Sequence, residues 1–80
     1  MHIFLEKVYQ YKLSQKTHQQ RLQFYLDFCK QHPKLTERVK SALYVVAVNL
    51  ETQSFTAEMS GLPKQVVNRV IRKFRDFLPF

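Results

Sequence analysis

Glycine, proline and cysteine are scarce in this chain of 80 residues, and tryptophan is absent. The scarcity of the first three argues against particular classes of structure. One glycine and three prolines leave few sites for tight turns, which favours long helices over a hairpin-rich sheet. A single cysteine, Cys29, excludes an internal disulfide and indicates a reducing compartment such as the cytoplasm. No apolar run approaches the length of a membrane span, and the early charges at the N-terminus argue against a signal peptide.

Acidic residues are also in the minority, since six aspartates and glutamates face 13 lysines and arginines, for a net charge of +7. Residues 1–40 carry eight bases and three acids, residues 41–60 carry two acids and no base, and residues 61–80 carry five bases and one acid. The excess favours polyanionic partners, with nucleic acid ahead of an anionic membrane surface. The gap in basic residues predicts a buried central helix between two basic surfaces.

A chain of this length forms one domain, residues 1–80, whose small core is marginal unless a partner subunit completes it. Residues 2–13 fit either a helical stripe or an alternating strand. We favour a helix because no second strand is evident to pair with it. This helix either covers the core or belongs to a dimerisation element within residues 1–33.

A second helix is predicted over residues 18–31. Thr17 and Gln20 have the spacing of a capping box at its start, and His32-Pro33 closes it. Its wide apolar stripe predicts burial on two sides, against the core and against a partner chain. The stripe consists of Leu22, Phe24, Tyr25, Leu26, Phe28 and Cys29. We expect Cys29 to be a small buried residue, and the aromatic residues here and at Tyr9 and Tyr11 to belong to the core rather than to stack on bases.

The strongest helical periodicity covers residues 35–50, with Thr36 as the expected N-cap. Its apolar positions are Leu35, Val39, Ala42, Leu43, Val46, Ala47 and Leu50. This segment is the expected central core helix. Residues 51–53 are predicted to be a polar loop, followed by a short helix over residues 56–60 with Ser54 or Thr56 as its cap.

The last third of the chain has the pattern of a helix-turn-helix. Gly61, the only glycine, stands between two helical segments, where a left-handed residue ends one helix and turns the chain. Ala57 provides a small residue for the inner face near the turn. The second helix, Lys64 to Phe77, has one apolar side made of Leu62, Val67, Val70, Ile71, Phe74, Phe77 and Leu78.

The opposite side of this second helix is basic and rich in amides. Gln65, Asn68, Arg69 and Arg72 follow one another at helical spacing, and Lys64 and Lys73 flank them. Lysine and arginine neutralise phosphates, while arginine, asparagine and glutamine also form paired hydrogen bonds with base edges. The composition of this side favours a helix that enters a DNA groove.

The spacing of Ala57, Gly61, Leu62, Val67 and Val70 resembles the helix-turn-helix signature of bacterial and phage regulators. The run Gly61-Leu62-Pro63-Lys64, with Val67 and Arg69, is similar to the turn of IclR-type repressors. The unit also resembles KorA-like plasmid repressors and the N-terminal helix-turn-helix of some insertion-sequence transposases. Thr56 and Ser60 depart from the pattern, which often has apolar residues there, and Pro63 replaces the usual serine or threonine cap.

Catalytic and metal sites find little support in the sequence. The serines lack a glycine-framed elbow, no glycine-rich phosphate loop exists, and the carboxylates are scattered. Cys29 and His32 stand three residues apart without a second pair of zinc ligands downstream. We therefore expect no enzymatic activity, no cofactor, no metal and no small-molecule ligand.

The sequence predicts an all-α protein, a small bundle of about five helices with a C-terminal helix-turn-helix and no wing. Residues 35–78 form the trihelical unit. The expected function is sequence-specific binding of double-stranded DNA as a homodimeric regulator in the cytoplasm, at the nucleoid, without membrane association. The alternatives are a protein-interaction module with the same fold and the DNA-binding head of a transposase or recombinase. The expected DNA-binding residues are Lys64, Gln65, Val66, Asn68, Arg69, Arg72, Lys73 and Arg75.

Overall fold

A computed structural model of the chain describes residues 10–79, which form five helices and no strand. Residues 10–14 belong to helix α1. The other four are α2 (His18–Gln31), α3 (Glu37–Ala47), α4 (Gln53–Ser60) and α5 (Lys64–Phe77). The predicted all-α class is confirmed. Of the first predicted helix, residues 2–9 lie outside the described part of the chain, and residues 10–13 are helical as expected.

Helix α2 has the predicted boundaries because both of its ends are specified locally. The backbone N–H of Gln20 donates to Thr17 Oγ1 at 3.1 Å, and the backbone N–H of Thr17 donates to Gln20 Oε1 at 2.9 Å. These two bonds complete the capping box and satisfy donors that the first turn leaves free. His32, directly before Pro33, is the C-cap.

Helix α3 begins at its predicted cap, since Thr36 Oγ1 accepts from the backbone N–H of Val39 at 3.2 Å. It ends after Ala47, three residues before the predicted end. Leu50 has a φ of 62°, a left-handed conformation that is incompatible with continuing a right-handed helix. The segment between α3 and α4 therefore covers residues 48–52 and begins three residues earlier than the sequence predicted.

Aromatic side chains join α2 to α5 in the core. The Phe28 ring packs edge-on against Phe74 and Phe77, with ring centroids 5.4 and 5.6 Å apart, which is a favourable arrangement for aromatic quadrupoles. Phe24 and Tyr25 pack against the same core, as predicted. The buried members of this cluster are Leu13, Phe28, Leu43, Ala47, Val70, Phe74 and Leu78.

Four predicted core positions differ in the structure, and one of them, Leu50, lies beyond the end of α3 and is 40% exposed. Tyr11 is 66% exposed because Leu13 is the α1 residue that enters the core. Cys29 is only half-buried. Leu26 is 45% exposed, and Leu22 is half-buried on the same side of α2. The core thus occupies one side of the apolar stripe on α2, and the other side faces outward in this single chain. Tyr9 lies outside the described residues.

Helices α3, α4 and α5 contact one another in pairs. These three helices therefore pack together as one group. Helix α2, which precedes them in the chain, contacts α3 and α5. This packing leaves the outer side of α5 and the outer side of α4 free of neighbouring helices in the described part of the chain.

Candidate nucleic-acid interface

The first helix of the helix-turn-helix, α4, begins earlier than the sequence predicted. Neither Ser54 nor Thr56 caps it. The N-cap is Thr52, whose backbone is extended and whose Oγ1 accepts from the backbone N–H of Phe55 at 3.1 Å. The helix therefore extends over Gln53–Ser60, which gives it an additional turn to pack against α3 and α5.

Thr56 is the buried residue of α4, with 2% of its surface exposed. Its hydroxyl donates to the carbonyl oxygen of Thr52 at 2.8 Å. A buried hydroxyl is costly only when it lacks a partner, so threonine is tolerated where related motifs often have an apolar residue. Ala57, predicted to occupy the inner face, is half-buried beside it.

The turn between α4 and α5 has the predicted geometry. Gly61 caps α4 with a φ of 70°, in the left-handed region where glycine avoids the Cβ penalty. The hydroxyl of Ser60 accepts from the backbone N–H of Leu62 at 3.3 Å. Pro63 is the N-cap of α5 and makes no side-chain capping bond. The proline instead supplies a fixed φ of −58° immediately before the helix.

Helix α5 is divided into a buried side and a basic side. Val67, Val70 and Phe74 are buried, as the apolar pattern predicted. The predicted DNA-binding residues all lie outside the core, and five of them are exposed: Lys64, Gln65, Arg69, Arg72 and Lys73. Val66, Asn68 and Arg75 are half-buried at the margins. At 100° per residue, Gln65, Arg69 and Arg72 form the middle of the outward side.

The cations of α5 have no carboxylate partner within residues 10–79. The single ion pair of this range joins Lys40 to Glu37 at 3.8 Å on α3. The acid on α5 itself, Asp76, is exposed near the end of the helix. Five positive charges thus stand on one helix (Lys64, Arg69, Arg72, Lys73 and Arg75) without an ion pair to a carboxylate of the described range. An unneutralised cationic side attracts phosphate and releases counterions when it binds.

Two surface features escaped the sequence interpretation. The outward side of α4 has two exposed apolar residues, Phe55 at 44% and Met59 at 71% exposure. Their spacing of four residues was a usable signal, but the predicted helix began after Phe55. A cavity also opens between α1, the segment after α3, and α5. No local sequence pattern indicates it, because its walls come from three separate segments.

Residues 10–79 contain neither a cluster of metal-binding side chains nor a membrane-spanning helix. No group of three or more histidine, cysteine, aspartate or glutamate side chains is placed to hold a metal ion in this range. None of its helices combines the length and hydrophobicity needed to cross a bilayer.

Comparison of the chain with protein-family models, with curated proteins and with solved structures finds no match. The resemblance to helix-turn-helix regulators therefore depends on the residues of the last third of the chain alone, and no similar protein supports it.

Proposed function

We propose that this protein binds double-stranded DNA in a sequence-specific manner, with α5 in the major groove, as a small transcription regulator. The observation that carries the proposal is the outward side of α5, where cations without carboxylate partners in the described range alternate with Gln65 and Asn68. A solvated helix without a binding task usually mixes acids with bases. This one has the side chains that contact phosphates and base edges.

We assign the roles by position around the helix. Gln65, Arg69 and Arg72 lie at the centre of the outward side and Asn68 at its half-buried margin, and cations flank them. In this arrangement Gln65, Asn68, Arg69 and Arg72 contact base edges. Lys64, Lys73 and Arg75 contact phosphates, and Val66 packs against a thymine methyl group. Acting on DNA, the protein would work at the nucleoid in the cytoplasm.

A homodimer fits this function because two-fold symmetry presents two recognition helices to two half-sites. The outward side of α2 supports it, since Leu26 is exposed and Leu22, one turn earlier, is half-buried. A partner copy that covers both leucines removes apolar surface from water, at about 25 cal/mol per Å². Within the dimer, the half-sites would be about 34–36 Å apart, one turn of DNA.

The decisive experiment is fluorescence anisotropy of a labelled duplex of mixed sequence, titrated with the full chain across a salt series. Three phosphate contacts per protomer predict that log K falls against log salt with a slope of about −2.7 for each protomer, or about −5.4 for the dimer. A search for the specific site would follow. Absence of binding at low salt, despite the net charge of +7, would exclude the proposal.

A charge-matched pair of variants separates α5 from general attraction. Arg69→Ala with Arg72→Ala removes two charges from the outward side of α5. Lys30→Ala with Lys34→Ala removes two exposed charges near the end of α2. The first pair should relax sequence preference at the base pairs that Arg69 and Arg72 contact, and the second should leave the preference intact. Equal losses from both pairs would show non-specific attraction and would place the DNA on another surface.

The second candidate function is a protein-interaction module with a helix-turn-helix fold. The observation that favours it is the exposed pair Phe55 and Met59 on α4, since apolar anchors of this kind occur at protein interfaces. Glu58 lies between them and the surrounding stretch has no base, so the partner surface would be apolar and basic. Phe55→Ser with Met59→Ser should leave duplex affinity unchanged if α5 is the DNA-binding surface.

A further inference from the structure

A cavity of about 390 Å³ lies between α1, the segment that follows α3, and α5. Its wall is largely apolar and includes Leu13, Val46, Ala47, Ile71 and Phe74. The volume falls within the range of about 300–1,000 Å³ that is typical of small-molecule pockets. The size and the apolar lining indicate a binding site rather than a packing defect.

The charged rim of this cavity determines what class of molecule it would take. Arg72 and Arg75, one exposed and one half-buried, line it from α5. Neither has a carboxylate partner within residues 10–79. Glu51, an exposed residue, is the carboxylate on the opposite rim. The rim therefore carries two positive charges and one negative charge, and a bound anion would be attracted to the α5 side.

Two of the neutral polar groups of the rim are already engaged, and the others, on Gln10, Tyr11 and Gln53, lack the charge of a guanidinium. The hydroxyl of Ser14 already donates to the carbonyl oxygen of Tyr11 at 2.6 Å. Thr52 Oγ1 accepts from the backbone N–H of Phe55. The arginines are thus the groups best placed to recognise the polar end of a ligand, since guanidinium groups bind carboxylates through paired, charge-assisted hydrogen bonds.

We propose that this cavity binds a small amphipathic carboxylate. The apolar body lies against Leu13, Val46 and Ile71, and the carboxylate lies against Arg72 and Arg75. An aliphatic and an aromatic acid share this chemistry. The prediction from sequence of no small-molecule ligand did not anticipate such a site.

The site would also regulate DNA binding, an extension that rests on the proposed function. Arg72 is a proposed base-reading residue and Arg75 a proposed phosphate contact, and both line the cavity. A carboxylate that engages these arginines competes with DNA for the same groups. Binding of the acid is therefore expected to weaken binding of the duplex.

The test uses the full chain and two probes of the same length, octanoate and 1-octanol. Binding is followed by NMR, with the methyl groups of Leu13, Val46 and Ile71 as reporters. Octanoate should bind about tenfold more tightly than octanol if the arginines recognise the carboxylate. Equal affinity, shifts that spread away from these methyl groups, or no saturable binding would overturn the proposal.

Variants test the two halves of the site separately. Arg72→Gln with Arg75→Gln should reduce octanoate affinity to that of octanol, whereas Lys30→Gln with Lys34→Gln should retain the preference. Val46→Phe places a larger side chain in the cavity and should weaken binding of both probes, with circular dichroism confirming that the variant is folded. Octanoate binding that is unchanged by both the glutamine pair and the narrower cavity would overturn the proposal.

Duplex binding measured with and without octanoate distinguishes this inference from the proposed function. Weaker duplex binding in octanoate supports the coupling. Octanoate binding with unchanged duplex affinity overturns the proposed coupling but still supports the proposed binding site. Octanoate binding in a protein that binds no duplex at any salt overturns the proposed function alone.

Discussion

The guanidinium of Arg21 on α2 holds the end of α3, because its Nε donates to the carbonyl oxygen of Val48 at 2.9 Å. Val48 is the C-cap of α3 and is fully buried. The same side chain donates from Nη1 to the carbonyl oxygen of Lys16 at 2.6 Å. One cation thus joins the segment before α2 to the negative end of the α3 dipole, where a positive charge is favourable.

Replacing this arginine should destabilise the protein. Arg21→Met retains much of the aliphatic packing but leaves two carbonyl oxygens without their charged donor. We expect the free energy of unfolding to fall by about 1.5–3 kcal/mol, as measured by urea denaturation. The control is Arg38→Met on the exposed surface of α3, expected to change stability by less than about 0.5 kcal/mol. Equal effects would show that charge, rather than the bonds to Val48 and Lys16, is responsible.

The buried threonine of α4 provides a second test. Thr56→Val keeps the shape of the side chain and removes the hydroxyl. The carbonyl oxygen of Thr52 still accepts from the backbone N–H of Thr56 at 3.1 Å, so no acceptor is left unsatisfied. We expect a change in the free energy of unfolding within about 1 kcal/mol, whereas Thr56→Ala opens a cavity and should cost more. A large loss in the valine variant would mean that the hydroxyl itself is required.

Alkaline pH should destabilise the protein through Tyr25. Its hydroxyl donates to the carbonyl oxygen of Lys40 at 3.1 Å. Burial raises the pKa of Tyr25 to about 12, with a smaller contribution from Cys29. The folded state therefore disfavours the phenolate, whereas an unfolded tyrosine titrates near a pKa of about 10. The contribution of Tyr25 to stability is fully present below about pH 10 and is lost as the pH rises through about 12.

Thermal unfolding of the Tyr25→Phe variant at pH 8 and above pH 10 tests this expectation. The variant should be less stable at pH 8, by about 1 kcal/mol for the lost hydrogen bond. It should also lose less stability than the wild type on alkalinisation. Tyr11→Phe, at an exposed tyrosine, is the control and should retain the alkaline loss. Parallel curves for wild type and Tyr25→Phe would contradict the assignment.

The turn of the helix-turn-helix depends on the backbone of Gly61. A Cβ at this position would meet no atom within 4 Å, so a clash with the surrounding structure is excluded as a cause of destabilisation. Gly61→Ala should nevertheless cost about 1–2 kcal/mol, because alanine is disfavoured at the φ of 70° found here. Gly61→Asn should cost less, since asparagine tolerates this conformation better. Guanidinium denaturation of the two variants measures both losses in the free energy of unfolding. Equal losses would argue against a purely conformational origin.

The proposed interface predicts different consequences for two cations on α5. Arg69→Ala should weaken binding to the specific duplex by about 1–3 kcal/mol and relax preference at one base pair. Lys73→Ala should weaken binding to all duplexes alike. It should also reduce the slope of log K against log salt by about 1 per protomer. Anisotropy with a panel of single-base variants measures both. Unchanged affinity and preference in Arg69→Ala would show that the proposed docking is wrong.

Features encoded within a few neighbouring residues were predictable from the sequence. The capping box at Thr17, the cap at Thr36 and the left-handed Gly61 each depend on contacts between residues no more than a few positions apart. The two sides of α5 follow from helical spacing, and its boundaries are as predicted. Such features are predictable because the interacting groups are adjacent in the chain and hydrogen-bond geometry fixes their separation.

Features that join distant segments were decided only by the tertiary structure. The sequence offered Ser54 or Thr56 as the cap of α4, but packing of α4 against α3 and α5 buries Thr56, and the cap is Thr52. The bond between Arg21 and Val48 spans 27 positions, and the cavity joins α1, the segment after α3, and α5. Local propensity does not predict such arrangements, because which surfaces meet depends on how all the helices pack around one core. The sequence by itself determined an all-α chain with a basic final helix, and the packing decided which of its side chains face solvent, the core or the cavity.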